Sequence, residues 1–512
     1  MANVMKPTAE ILERISIQSR NNREEVFTRL YRYMLRPDIY YQAYKNLYAN
    51  AGAGTNGIDD DTADGFGAEK VARIIEQLRK GSYTPKPVRR TYIPKKNGRL
   101  RPLGIPTFTD KLVQEVLRMI LEAVYEPIFL PTSHGFRPKR SCHTALSAMS
   151  KSYRGTRWFV EGDIKAFFDN IDHQILVALI SKKVKDARIV QLVNKMLKAG
   201  YMEDWQYHGT FSGTPQGGII SPLLANIYLH ELDVFMQDMS KHFAKPREQE
   251  FTPAYRSALS KVNAIKWRLK NAKDSVEAKL LIKELHAARA IMVKIPCKSQ
   301  TDKKIVYTRY ADDFLIGVNG SKEECVKIKA AIKNFLSEKL RLELSEEKTL
   351  ITHTAQHARF LGYDVSVRRT GKLKKDKTGR VMRTLNSSVE LNIPFADKIE
   401  RFVLDKQIAA VKQGVLKPIC RRKLIRLSDL EILSVYNSEL RGICNYYGLA
   451  SNYTRLSYFA YLMEYSCLKT LASKHQTTTS KIRKRFKDGR GGWCIVYTTR
   501  KGEQRTYFAK YQ

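Results

Sequence analysis

The chain has 512 residues, 43% of them hydrophobic, and 90 Lys and Arg against 51 Asp and Glu give a formal net charge of +39. That length allows two or three domains with a sizeable core. The basic excess runs through globular-looking segments rather than one tail, which points to a polyanionic partner. Seven cysteines without a C-x-x-C pair indicate neither a disulfide framework nor a zinc site. No apolar stretch is long enough to span a bilayer, and the N-terminus lacks the apolar core of a signal peptide.

In chain order, residues 8–50 carry apolar side chains at helical steps (Ile11, Leu12, Ile15, then Val26, Leu30, Tyr33, Met34). Pro37 is expected to interrupt that pattern, and Gly52, Gly54 and Gly57 mark a loop. After a helix around Lys70–Leu78, Thr91–Pro106 reads as a β-hairpin turning at Asn97-Gly98 and bearing Lys95, Lys96, Arg99 and Arg101. A long helix runs from Asp110 towards Tyr125. The short apolar strand from Trp158 delivers Asp163 just before a turn, and Phe167 is expected in the core, facing away from Phe168 as strand neighbours do. Asp169 and Asp172 read as surface or capping acids.

Residues 236–304 are charged and helical in period, with Ala258, Val262, Ile265, Leu269, Ala272 and Val276 forming a seam; they read as a helical insertion packing on its own domain. Thr308-Arg309-Tyr310-Ala311-Asp312-Asp313 then runs into Phe314-Leu315-Ile316-Gly317-Val318, two strands joined by a tight turn with acids at its tip. Ionised acids are expensive to bury unless paired or bound to metal. Asp163 and Asp312 side by side would hold two divalent ions for in-line phosphoryl transfer. The half-basic stretch Arg368–Arg383 looks like a hairpin suited to phosphate contact. From about residue 387 the chain turns helical and Tyr-rich. Leu430, Leu433, Tyr436, Leu440, Ile443 and Tyr447 keep a helical period, and Tyr446, Tyr453, Tyr458, Tyr461 and Tyr465 crowd nearby. More than half of these tyrosines are expected in a helical core, the others being available to stack on unpaired bases. His353 and His357 lack a Cys or acid partner at useful spacing, so surface or turn roles fit them better than a metal site.

Seven segments stand in a fixed order: Arg101-Pro102-Leu103-Gly104-Ile105-Pro106, Ser133-His134-Gly135-Phe136-Arg137-Pro138, the Asp163 strand, Gly213 to Asn226 with Thr214-Pro215-Gln216-Gly217-Gly218, Tyr310-Ala311-Asp312-Asp313, Leu344 to Thr349, and Phe360-Leu361-Gly362-Tyr363. The series resembles the reverse transcriptases encoded by bacterial group II introns, and Asn437 to Tyr447 resembles their maturase segment. The resemblance implies an α+β right-hand polymerase, with fingers, a palm carrying an antiparallel sheet, and an α-helical thumb. It implies an RNA-binding N-terminal extension (1–60), fingers and palm (61–386), a thumb or maturase domain (387–490) and the start of a DNA-binding segment (491–512); the zinc-supported endonuclease that often follows in such proteins is not expected, because no C-x-x-C pair or His-rich cluster stands near Cys494. Asp163, Asp312 and Asp313 match the catalytic triad, and the metal ligands fall to Asp163, Ile164, Asp312 and Asp313 around two Mg²⁺ ions. Lys95, Arg101, Phe168 and Gln216 match the nucleotide pocket, with Phe168 as the ring that senses the sugar 2′ position. Phe360, Leu361 and Gly362 match the primer grip, where a plain hairpin is the rival reading.

The expected function is RNA-directed DNA polymerase and intron maturase, copying the intron by target-primed reverse transcription. The expected partners are group II intron RNA, target DNA and deoxynucleoside triphosphates, without a membrane, and a homodimer is left open. The expected setting is a cytoplasmic, nucleoid-associated ribonucleoprotein. Two rivals are a reverse transcriptase outside introns and an RNA-binding splicing cofactor with a vestigial polymerase. Intact Asp163, Asp312 and Asp313 argue against the second, and the maturase-like segment argues against the first.

Overall fold

The computed structural model describes residues 6–50, 52–94, 98, 100–204, 206–210, 212–213, 217–246, 250–272, 274–295, 297, 302–370, 372–375, 381–384, 386–488, 492–500 and 502–511. The chain divides into two compact units, one of residues 1–145 and 156–352, the other of 146–155 and 353–512. The architecture is α+β.

The first unit opens with α1 (Thr8–Asn21), α2 (Tyr31–Met34) and α3 (Pro37–Tyr48). The helical pattern expected over 8–50 also breaks between Asn22 and Leu30, where Phe27 forms a β-bridge with Val184. Pro37 does not interrupt a helix but starts one, at the first helical position where its missing N–H costs nothing. After α4 (Ala68–Lys80), strands β1 (Val88–Pro94) and β2 (Leu100–Ile105) form the expected hairpin, Pro94 opposite Leu100. Helix α5 (Phe108–Tyr125) is buried on nearly every side, with α1 and α3 packed on it. Its acids survive burial because they are paired: Asp110 accepts from the Tyr83 hydroxyl at 2.5 Å, the Thr107 hydroxyl at 2.7 Å and the Lys86 amide at 3.2 Å.

Helix α6 (Cys142–Ser152) precedes β3 (Trp158–Asp163), which is followed by one turn of helix, α7 (Phe167–Asn170), then α8 (His173–Lys183) and α9 (Ala187–Leu197). Strands β4 (Tyr201–Glu203) and β5 (Gln206–His208) complete a sheet in the order β2-β1-β4-β5. Helix α10 (Ser221–Phe243) leads to α11 (Pro253–Lys270) and α12 (Ser275–Lys294). Residue 236 therefore falls inside α10, whose Met236 lies in the main core, and the insertion proper is the α11–α12 hairpin. That hairpin packs on itself through Val262, Ile265, Leu281 and Leu285, with Leu269 and Ala272 against them. Val276 does not belong to the seam: it is 67% exposed, because α12 begins at Ser275 and turns it outward.

Strands β6 (Lys304–Tyr310) and β7 (Asp313–Asn319) then join β3 and β8 (Ile351–His353) in a second sheet, order β6-β7-β3-β8. The unbroken apolar run in β7 suits a central strand, and its residues from Phe314 onward are buried. Helix α10 packs on β6, and α13 (Lys322–Leu340), opened by a Ser321–Glu324 capping box, packs on β3.

The second unit carries β9 (Ala358–Phe360), β10 (Tyr363–Val367) and, beyond the basic hairpin of β11 (Leu373–Lys375) and β12 (Val381–Arg383), β13 (Val389–Asn392). A π-helical turn (Phe395–Glu400) runs into α14 (Arg401–Asp405), and the hairpin β14 (Ala409–Lys412) and β15 (Val415–Pro418) follows. Helices α15 (Asp429–Tyr446), α16 (Leu456–Lys474) and α17 (Thr479–Arg485) pack together before the hairpin β16 (Cys494–Thr499) and β17 (Gly502–Tyr507). The tyrosines do not divide as expected. Tyr436 and Tyr447 are buried, but none of Tyr446, Tyr453, Tyr458, Tyr461 and Tyr465 is. Leu456, Phe459, Leu462, Met463 and Cys467 already fill the inner face of α16, so Tyr458, Tyr461 and Tyr465 stack along another stripe, Tyr458 and Tyr461 with centroids 6.3 Å apart. Among the described residues no helix is long and apolar enough to cross a membrane.

Candidate active site

Antiparallel pairing of β3 with β7 puts Asp163 directly opposite Asp313. Directly opposed residues point to the same sheet face with Cβ atoms about 4.5–5.5 Å apart. Tyr310 pairs with Asp313 across β6 and β7, so Ala311 and Asp312 form the whole of a two-residue loop. Ala311 has φ +57° at the first central position, the place where such loops usually use glycine. Three carboxylates from segments some 150 residues apart thus share one sheet end.

Their electrostatics show a site short of positive charge. Loss of water, followed by the charge of Asp163, pushes the Asp312 carboxyl above its ordinary range, while Arg101 and Lys348 pull it back. Asp313 keeps accessible surface, yet crowding at the strand end dehydrates it; with the charges of Asp312 and Asp163 it is pushed up to about 7. The segment after α13 is laced to β3, the Lys165 amide donating to the Glu343 carbonyl, Ser345 N to Asp163 O and Glu161 N to Leu350 O, each within 2.9 Å. This brings Lys348 Nζ to 2.8 Å from Asp163 Oδ2. Leu344 to Thr349 was recognisable as a motif, but Lys348 was not singled out because only the fold shows which acid it meets.

The other expected residues divide. Phe168 is half-buried, edge-on to Phe136 with centroids 6.5 Å apart, and Phe136 also lies 6.5 Å from the ring of Tyr310. Phe167 is buried as expected, but for a different reason. After Ala166 at φ +45° the chain enters a helical turn, so Phe167 and Phe168 diverge by helical rotation rather than by strand alternation. A Cβ on Gly213 would lie 2.9 Å from the carbonyl oxygens of Phe168 and Asp169, so the glycine loop presses against the Phe168 turn; His173 Nε2 donates to the Gly213 carbonyl at 2.7 Å. A Cβ on Gly217 would sit 2.5 Å from the Gly104 carbonyl of the basic hairpin. Arg101 is exposed on that hairpin, close enough to act electrostatically on Asp312. Lys95 and Gln216 lie outside the described residues, as do Lys96 and Arg99. Ile164 has its side chain in the core, leaving only main-chain atoms to meet a metal. Asp172 caps α8, accepting from the Gln174 and Ile175 amides.

In the second unit Phe360 pairs with Tyr363, so Leu361-Gly362 is a two-residue turn with φ +46° and +72°. The Tyr446 hydroxyl donates to the Leu361 carbonyl at 2.7 Å, Tyr447 Oη to Gly362 O at 3.3 Å, and Tyr363 Oη to Tyr446 O at 2.5 Å. The expected primer-grip turn is therefore fastened by the Asn437–Tyr447 segment, a link that sequence spacing does not reveal.

Among the described residues no group of three or more His, Cys, Asp or Glu stands gathered as a metal cage. The aspartates still suit a hard divalent cation. They are oxygen donors that repel one another, and Mg²⁺ is commonly held by one or two carboxylates together with substrate phosphates rather than by an all-protein cage.

A sheet end with opposed aspartates, a glycine loop and flanking cations is the arrangement of a nucleic-acid polymerase palm. The family of reverse transcriptases (RNA-dependent DNA polymerases) matches residues 93–252 and 281–365, and type II intron maturases match residues 386–505. The chain is 59% identical over 510 residues to the group II intron-encoded protein LtrA of Lactococcus lactis subsp. cremoris, covering 99% of this chain and 85% of that one. An uncharacterized 91 kDa protein in the cob intron of Schizosaccharomyces pombe is 36% identical over 484 residues, 93% of this chain and 58% of its own length. Protein YkfC of Escherichia coli is 32% identical over 344 residues, 65% of this chain and 82% of its own. The chain belongs to the group II intron-encoded proteins. It is an RNA-directed DNA polymerase joined to an intron maturase that binds its intron RNA, and its polymerase family depends on divalent metal.

Proposed function

We propose that Asp163, Asp312 and Asp313 are the polymerase centre and that the chain copies its group II intron by target-primed reverse transcription. The observation that carries this reading is the register of Asp163 opposite Asp313 beside the Ala311-Asp312 loop, with Lys348 and Arg101 as flanking cations. Bound there, two Mg²⁺ ions would offset charge on the reacting phosphates and make the primer hydroxyl easier to deprotonate. The chain's own groups do the rest. The aspartates, with main-chain oxygen at Ile164, supply hard oxygen donors. Arg101 and Lys348 balance triphosphate charge, joined in this reading by Lys95, while Gln216 lines the nucleotide pocket. Phe168 bars a ribose 2′-hydroxyl by volume, and Phe360, Leu361 and Gly362 grip the primer.

In this reading residues 1–60 and the 387–490 region dock intron RNA, 61–386 carry polymerisation, and 491–512 begin a DNA-binding segment. The substrates are deoxynucleoside triphosphates and a DNA target, met by a ribonucleoprotein at the nucleoid. Asp312→Ala tests the division of labour. It is expected to abolish cDNA synthesis and to leave intron binding and splicing assistance within about twofold, because it removes a metal ligand and no RNA-docking group. Splicing lost in a variant that still folds and binds the intron sinks this reading, and so does cDNA synthesis retained.

A further inference from the structure

Arg309, the penultimate residue of β6, is wholly enclosed, with no exposed surface. A guanidinium has five N–H donors, and here every one is used. Nε donates to Asp233 Oδ1 at 2.8 Å and Nη2 to Asp233 Oδ2 at 2.6 Å. Nη2 also donates to Ser133 Oγ at 2.8 Å, and Nη1 donates to Asn226 Oδ1 at 3.1 Å and to the Ala311 carbonyl at 3.0 Å. The main chain repeats the connection, with Arg309 N donating to Thr132 O and His134 N to Arg309 O, both at 2.9 Å. Asn226 Nδ2 in turn donates to the Gly135 carbonyl at 2.8 Å, and a Cβ on Gly135 would overlap the Ala311 amide nitrogen.

Among the described residues Asp233 is the one acid paired with Arg309. A buried ion pair can often be replaced by apolar residues without loss of stability, so pairing by itself does not account for this side chain. What an apolar substitute could not supply is the donor to Ala311, a non-glycine residue held at φ +57° in the loop that carries Asp312. Ser133 and Asn226 extend the same network to the segment bearing Phe136, itself at φ +56° beside Phe168 and Tyr310.

We propose that Arg309 is a positioning residue for the polymerase centre: its Nη1 donation to the Ala311 carbonyl holds the loop in its strained form, and its bonds to Ser133 and Asn226 hold the Phe136 wall in step with it. This rests on the reading of Asp163, Asp312 and Asp313 as metal ligands. The test uses the full chain on a primer–template. Arg309→Lys keeps the charge but has only three N–H donors for the five bonds that Arg309 makes to four residues; Asn226→Ala keeps the ion pair and removes one strut. With melting temperature and intron binding preserved, Arg309→Lys is expected to lower kcat about 100-fold, the scale of a small misplacement of reacting groups, while KM for dNTP stays within about threefold. Mn²⁺ affinity, read by electron paramagnetic resonance, is expected to fall about tenfold, with Asn226→Ala moving both readouts in the same direction. Should Arg309→Lys fail to fold, Asn226→Ala decides. Wild-type kcat and Mn²⁺ affinity in the folded variant overturn the proposal. Asp312→Asn is run beside them: if it keeps Mn²⁺ binding and activity, the reading of the aspartates fails instead.

Discussion

His134 lies at 4% exposure with Nδ1 on the Thr144 hydroxyl at 2.9 Å, and its Nε2 finds no hydrogen-bond partner among the described residues. Burial first, then the charges of Arg140, Arg137 and Arg309, hold its imidazole pKa down to about 4, from an ordinary 6.5. The folded state keeps this ring neutral while the unfolded chain protonates it below pH 6.5. Its contribution is therefore intact above pH 6.5 and lost as pH falls from 6.5 towards 4, by about 3 kcal/mol in all. A urea-midpoint series from pH 7 to 4.5 should fall less steeply for His134→Gln than for the natural chain; parallel curves would remove His134 from acid destabilisation. At Phe168 the expected effect is on selectivity. Phe168→Ala should raise ribonucleotide over deoxyribonucleotide incorporation by about 10–200-fold, the range that pocket volume commonly controls. Single-nucleotide extension with each substrate measures the ratio, and an unchanged value excludes the ring as the gate. The family resemblance places the candidate gate at Phe168, but nothing in it places Phe136 at the ring's edge, because that contact joins residues 32 apart.

At the scale of elements, two short loops carry the expected chemistry. The Leu361-Gly362 turn needs positive φ at both positions, and a Cβ at Gly362 would stand 3.2 Å from Tyr446 Oη. Gly362→Ala should therefore cost about 1–2 kcal/mol from backbone strain, and Tyr446→Phe about 1 kcal/mol from the lost bond to Leu361. If the turn grips the primer, both variants shorten cDNA made in a single binding event while KM for the first nucleotide holds. Product lengths with a trap present decide this, and unchanged lengths leave the turn a plain hairpin. These hairpins were readable because acids or glycine interrupt β-rich runs at strand spacing. A turn after β3 was readable but its helical form was not, since Lys165 to Asn170 has no residue that announces a helical turn, and tertiary contacts with Gly213 settle its path.

For the whole molecule, a net charge of +39 should make intron affinity fall steeply with salt. If about 6–10 phosphates are neutralised, affinity should drop about 10³–10⁵-fold between roughly 50 and 200 mM salt, with log K linear in log salt. Filter binding across that range checks it. A nearly flat line would mean that affinity rests on shape and stacking, for which the exposed Tyr458–Tyr461 stripe of α16 is a candidate surface.

By itself the sequence determined the polyanion-binding character, the order of seven polymerase-like segments and the family. Charge and motif order survive any rearrangement of the chain in space, and adjacent aspartates in a strand–turn–strand pattern have few uses that repay their desolvation. Tertiary structure alone decided which groups meet. It put Asp163 opposite Asp313, brought Lys348 to Asp163, fastened Leu361 to Tyr446, and gathered Ser133, Asn226 and Asp233 around Arg309. Each of these joins residues from 76 to 185 apart in sequence or draws its specificity from burial. A buried guanidinium or carboxylate takes whichever partners the packing of distant elements leaves within reach, and local spacing carries no record of that choice.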